Sequence, residues 1–178
     1  MKLRVMAGTG NTFAVVDGER ESLADDCASL ARRLCASAIW EGRLPRLDGL
    51  LVVTRSQAGA DCRMRIFNAD GSRAEACGNG LRVVARFARE QGFAARDRLR
   101  VETDAGVRDV ELVRNVDGTI TAARARMGAP RKIERDVELV TSRGPLRATL
   151  VDMGNPHCVL FVDDERATAV GELGRELE

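Results

Sequence analysis

Ala76-Cys77-Gly78-Asn79-Gly80, continuing into Leu81-Arg82-Val83-Val84-Ala85-Arg86-Phe87-Ala88-Arg89-Glu90-Gln91 and stopping at Gly92, is the stretch from which the fold is read. Leu81, Val83, Val84, Ala85, Phe87 and Ala88 cover most of a helix, and Arg82, Arg86 and Arg89 form one stripe at i, i+4 and i+7. Gly92 stands where a C-terminal cap belongs. A helix apolar over most of its circumference is predicted to be enclosed, so a rigid core element holds Cys77 at its entrance. Helix N-termini present unpaired N–H groups and the positive end of the macrodipole. They favour the thiolate, the form that takes a proton, and they can hold a carboxylate. The stretch therefore offers a base and an anion seat side by side. The plainer reading is a small buried hydrophobe, since free cysteine is among the most buried residue types. The glycines and asparagines around Cys77 put the two readings on an equal footing.

Working outward, Phe67-Asn68-Ala69-Asp70-Gly71 reads as a strand end and a turn. Cys62, Met64 and Ile66 alternate with Arg63 and Arg65 before it, a half-buried strand. Val5-Met6 and Phe13–Asp17 read as strands around Gly8-Thr9-Gly10-Asn11, where Asn11 suits a turn tolerant of positive φ. Ser22, with Asp25 three residues on, reads as a helix cap. Leu23, Cys27, Leu30 and Leu34 then recur at helical spacing over residues 23–36. Trp40 and Pro45 fall in a loop, and Leu50–Val53 is a buried-strand run. Leu99/Val101/Thr103, Val110/Leu112, Val137–Val140, Leu146–Val151 and Val159–Val162 read as strands, with a hairpin signal at Asn115-Val116-Asp117-Gly118. Arg175 and the glutamates around it read as a frayed helix or tail. Strands outnumber helices and do not alternate with them, so the class is α+β and not a doubly wound parallel sheet. The boundary between lobes is set near Asp117-Gly118.

The chain of 178 residues is 44% hydrophobic and 31% charged, with a net charge of +1, ordinary for a globular protein. All but two of the 28 basic residues are arginine, spread along the chain and interleaved with acids. No nucleic acid or acidic membrane surface is expected as partner. No apolar run reaches the roughly 18 residues of a membrane span, and the opening lacks a signal-peptide core, so a cytoplasmic location is expected. The five cysteines, Cys27, Cys35, Cys62, Cys77 and Cys158, are odd in number and include no Cys-x-x-Cys pair. That pattern suits neither a disulfide framework nor a zinc ribbon. The set Cys77, His157 and Cys158 lacks the close ligand pairs of tetrahedral sites, so no metal is expected.

Met64-Arg65-Ile66-Phe67-Asn68-Ala69-Asp70-Gly71-Ser72, then Ala76-Cys77-Gly78-Asn79-Gly80, then Gly154-Asn155-Pro156-His157-Cys158-Val159 closely resemble the diaminopimelate epimerase family. The opening Gly8-Thr9-Gly10-Asn11-Thr12-Phe13 is similar to that family's Gly-Leu-Gly-Asn-Asp-Phe. Order and approximate spacing agree from residue 2 to about residue 165. The resemblance implies two lobes, each a mostly antiparallel, barrel-like sheet wrapped around a central helix. It implies residues 1–116 as the first lobe, carrying the catalytic cysteine, and 117–178 as part of the second. It also implies a cofactor-independent epimerase acting on a small amino-acid substrate, with one cysteine on each face of the α-carbon. By motif, Cys77 matches the first catalytic cysteine, and Gly78 and Asn79 match a backbone seat for the substrate. Asn11, Asn68 and Asn155 match side chains that hydrogen-bond it, and His157 matches a residue that tunes the cysteines. Taken alone, a single histidine more often completes a structural hydrogen bond.

The chain departs from the family pattern at three places. The second cysteine of the family lies in a Cys-Gly-(Ser/Thr)-Gly motif, behind a Glu-Arg pair, well beyond position 178, and neither motif occurs here. The rest of the second lobe is expected from further sequence, from a companion chain (a second copy in a homodimer included) or from a remodelled lobe. Thr12 replaces the usual Asp. Arg43-Leu44-Pro45-Arg46-Leu47-Asp48-Gly49 replaces Gly-Ile-Gly-Ala-Asp-Gly, keeping Asp48 and Gly49. Three functions stay open: interconversion of LL- and meso-diaminopimelate, racemisation of another amino acid, and a non-catalytic binding or assembly module.

Overall fold

A computed structural model describes residues 1–21, 23, 26–36 and 46–177. It divides into two units, Met1–Met127 and Gly128–Glu178. The first contains β1 (Arg4–Gly8), β2 (Asn11–Asp17), α1 (Cys27–Cys35), β3 (Gly49–Thr54), β4 (Cys62–Asn68), β5 (Arg73–Ala74), α2 (Gly78–Gln91), β6 (Arg98–Thr103), β7 (Gly106–Arg114) and β8 (Ile120–Ala125). One sheet runs β1-β2-β3-β4-β6-β7-β8, with β5 paired to β4. All its pairs are antiparallel except β2 with β3 and β4 with β6. The sheet is curled, and α2 packs against all seven strands of this path, both outermost strands included. This is the expected α+β lobe with a barrel-like sheet around a central helix.

Burial on two faces explains the sequence of the central strands. Phe13, Val15, Leu51 and Val53 pack with Leu81, Val84 and Phe87 of α2, while Ala14, Val16, Leu50 and Val52 pack with Cys27, Ala31 and Leu34 of α1. A strand covered on both sides has no solvent face, so Phe13–Val16 and Leu50–Val53 read as unbroken apolar runs. Each fully buried Leu or Val among them contributes about 1.5–3 kcal/mol. In β4, Cys62, Met64 and Ile66 face α2, and Phe67 instead joins the α1 cluster.

Several boundaries move. The first helix begins at Cys27 and is capped by Asp26, whose side chain accepts the Ser29 N–H, and Leu23 lies outside it. Ser22 and Asp25, and Trp40 and Pro45, lie outside the described residues. The β1–β2 turn places its positive φ at Thr9 (51°) and Gly10 (90°), so Asn11 is already strand. The Asn115–Gly118 turn joins β7 to β8 within one sheet. The division therefore falls at Met127/Gly128, beyond the turn that marked the lobe boundary in the sequence.

The second unit holds β9 (Lys132–Thr141), β10 (Gly144–Asp152), β11 (Pro156–Val159) and α3 (Val170–Leu177). Its antiparallel sheet has the order β11-β10-β9. The last strand ends at Val159, so of the expected Val159–Val162 strand only Val159 belongs to it. Among the described residues no helix is long and apolar enough to cross a membrane.

Candidate active site

Cys77 is the N-cap of α2, with extended backbone (φ −148°, ψ 115°), and Gly92 closes the helix in the left-handed conformation. The Gly80 N–H donates to Cys77 Sγ at 3.3 Å, and the Leu81 N–H donates to the Cys77 carbonyl at 2.9 Å. The first turn of a helix has N–H groups without intrahelical partners. Those of Gly78 and Asn79, the two residues after Cys77, have no hydrogen-bond partner among the described residues. Cys77 is half-buried, packed against the α2 core yet not sealed in it. A Cβ at Gly80 would lie 3.3 Å from Leu51 Cδ2 and 3.4 Å from Cys77 Cβ, so the helix entrance is as tight as a glycine allows.

The strand register brings two of the predicted asparagines to the same end of the sheet. Asn11 opens β2, Phe13 pairs with Gly49 at the start of β3, and Gly49 pairs with Asn68 at the end of β4. The α2 entrance is tied to that end by Asn79, whose Nδ2 donates to Asn11 Oδ1 at 2.8 Å and to the Thr9 carbonyl at 3.3 Å. Arg82 Nη1 donates to Asn79 Oδ1 at 2.7 Å. The Asn79 side chain is thus consumed inside the protein, and its backbone N–H has no partner among the described residues.

Asn68 is held in its own turn. Its Nδ2 donates to Ser72 Oγ at 2.9 Å, and Ser72 Oγ donates to Asp70 Oδ1 at 2.6 Å. The Ser72 hydroxyl and backbone N–H hold the Asp70 carboxyl below the usual carboxylate range. In contrast, burial, and then the neighbouring Asp61 charge, push the Cys62 thiol up to about 12. Cys62 and Cys27 are buried core residues, and burial, then Asp48, raises Cys35.

The remaining predicted residues, Asn155 and His157, lie in the second unit at the β10–β11 turn. His157 Nε2 lies 3.1 Å from Asn155 Oδ1 and donates to it in the tautomer protonated there. His157 and Cys158 are exposed and line an apolar groove of about 740 Å3 with Leu150 and Leu173. Among the described residues no group of three or more His, Cys, Asp or Glu side chains is placed to hold a metal ion.

Arg82 and Asp70 are the site residues that sequence reasoning did not single out. Arg82 was legible only as one of three stripe arginines. A sharper signal was available, for α2 has no acid in its first turn, and a cation one turn inside a helix N-terminus opposes the macrodipole.

The family model described as diaminopimelate epimerase matches residues 3–133. The diaminopimelate epimerase of Desulforudis audaxviator is 40% identical over 176 residues, covering 92% of this chain and 61% of its own length. That of Moorella thermoacetica is 38% identical, covering 97% of this chain and 64% of its own length. The chain thus spans less than two thirds of these relatives. Among solved structures, a probable proline racemase from Agrobacterium radiobacter superposes with a TM-score of 0.66 at 19% identity, covering 97% of this chain and 52% of that one. A hydroxyproline epimerase from Agrobacterium vitis superposes with a TM-score of 0.65 at 19% identity, over 97% and 52% of the two chains. At that identity the likeness is one of fold.

Proposed function

The chain belongs to the diaminopimelate epimerase family, and we propose that its first unit supplies one face of a site that inverts an amino-acid α-carbon without a cofactor. The observation that carries this reading is Cys77, a half-buried sulfur at the entrance of α2 that accepts one backbone N–H and is followed by two N–H groups with no partner among the described residues. An α-proton beside a carboxylate is weakly acidic, so the base must be positioned and the developing charge met by fixed dipoles. Cys77, as thiolate, takes the α-proton. The Gly78 and Asn79 N–H groups hold the carboxylate onto which charge spreads. A thiol on the opposite face returns a proton, and the two acids end with their protonation states exchanged. The opposite thiol is expected outside these 178 residues, so the chain by itself does not turn over.

Asn11 and Asn68 contact the substrate from the first unit, and the family motif gives Asn155 a substrate-binding role and His157 a cysteine-tuning one. The substrate is LL- or meso-diaminopimelate, which would serve lysine and peptidoglycan synthesis. Relatives bearing that enzyme's name at 36–40% identity support it. The test is α-deuterium uptake in heavy water by the full product of the gene, with LL-diaminopimelate, proline and hydroxyproline side by side. Exchange confined to diaminopimelate is the expected result. Exchange of proline alone moves the substrate, and exchange of none of the three overturns the reading.

A further inference from the structure

Two hydrogen-bond chains run to the two asparagines at the sheet end, and each starts from a charged side chain with only one hydrogen-bonding role. A guanidinium can only donate and an ionised carboxylate can only accept, so each fixes the direction of every bond downstream. Arg82 donates to Asn79 Oδ1, which turns the Asn79 NH2 group to Asn11 and obliges Asn11 to answer with its oxygen. The NH2 group of Asn11 is then the end left without a partner among the described residues. In the other chain Asp70 accepts the Ser72 hydroxyl, so the Ser72 oxygen can only accept from Asn68 Nδ2. Here the free end is the Asn68 oxygen.

From this opposition we infer that Arg82 and Asp70 are positioning residues that set two chemically identical amides in opposite senses, Asn11 as a donor and Asn68 as an acceptor. The pair matches the two ends of an amino-acid zwitterion. Asn11 donates to a carboxylate, and Asn68 accepts from an ammonium. The assignment of ligand ends rests on the epimerase reading, whereas the polarity of the two amides does not.

Two measurements test it. On the 15N-labelled chain, Arg82→Met is expected to shift the side-chain amide signals of Asn79 and Asn11 and leave Asn68 in place. Asp70→Ala and the milder Ser72→Ala should do the reverse. Unmoved Asn11 signals in Arg82→Met, or shifts of both asparagines in every variant, overturn the relays whether or not the protein is an enzyme. In the full gene product, Arg82→Met and Asn11→Ala are each expected to raise KM about ten-fold, the loss of roughly one charge-assisted hydrogen bond. Their double variant should be no worse than Asn11→Ala alone, because Arg82 acts through Asn11. Arg82→Met combined with Asn68→Ala should multiply. Multiplication in the first pair overturns the positioning role. Absent exchange by the wild-type product with any amino acid refutes the epimerase reading and the zwitterion assignment, while the amide signals still decide the relays.

Discussion

Asp48 and Thr12 hold each other by two hydrogen bonds. The Thr12 N–H donates to the Asp48 carboxylate at 2.7 Å, and the Asp48 N–H donates to the Thr12 carbonyl at 2.7 Å. One residue beyond each, Phe13 and Gly49 open the parallel β2–β3 pairing. The clasp therefore sets where the two strands start, and with them where Asn11 stands. It needs the carboxylate of residue 48 and only the backbone of residue 12. That explains how Asp48 is kept in a rewritten loop while Thr12 replaces the family's aspartate.

Asp48→Ala should lower stability by about 1 kcal/mol, the usual loss when one partner of a hydrogen bond is removed. Asp48→Asn, which keeps an acceptor oxygen, should cost less. Urea unfolding midpoints at equal slope check both. An alanine variant as stable as the parent would show that the clasp does not hold the strands.

Gly49→Ala should be worse, although it adds a single carbon. Its Cβ would lie 2.5 Å from the Phe67 carbonyl oxygen, which is backbone in the paired strand. No side chain can swing aside, so β3 and β4 must separate, and the loss is expected to exceed about 2 kcal/mol. A normal urea midpoint would mean that the sheet yields at its end.

How much of this was legible depended on whether a residue's fate was local. The strand at Phe13–Asp17, the buried run Leu50–Val53, the enclosed α2 helix and its Gly92 cap were written in apolar runs and helical spacing. Strand β8 was not, because Ile120-Thr121-Ala122-Ala123-Arg124-Ala125 holds few strand-forming residues and takes its conformation from pairing with β7. The same omission set the expected lobe boundary at Asp117-Gly118, within the Met1–Met127 unit. At the site, Cys77 was visible because a cap is a local signature. The bond from Asn79 to Asn11 spans 68 positions in the chain, and no spacing rule anticipates it.

Cys62 gives a pH prediction. Burial lifts its thiol from 9.0 to about 12, so the folded state keeps a proton that the unfolded chain releases. The stability so gained is fully present below about pH 9 and is lost as pH rises through 12, by up to about 1.4 kcal/mol per pH unit. Cys62→Ala should be less stable at pH 7, through the lost packing, and should fall less steeply above pH 9. Parallel stability–pH curves for the two proteins would remove the assignment.

The last prediction separates chemistry from architecture at one atom. Cys77 does two jobs, capping α2 by accepting the Gly80 N–H and offering sulfur as the proposed base. Serine is among the preferred N-caps, and its oxygen can accept the same N–H. A serine hydroxyl is nevertheless far too weak an acid to stand as an anion ready to take the α-proton. Cys77→Ser in the full gene product is therefore expected to keep the urea midpoint within about 0.5 kcal/mol of the parent. Its α-deuterium uptake should fall by at least about 100-fold, the usual lower contribution of a positioned general base. Uptake retained in a stable serine variant would strip Cys77 of its catalytic role. Loss of the fold would instead mean that the sulfur's packing against the α2 core outweighs its cap.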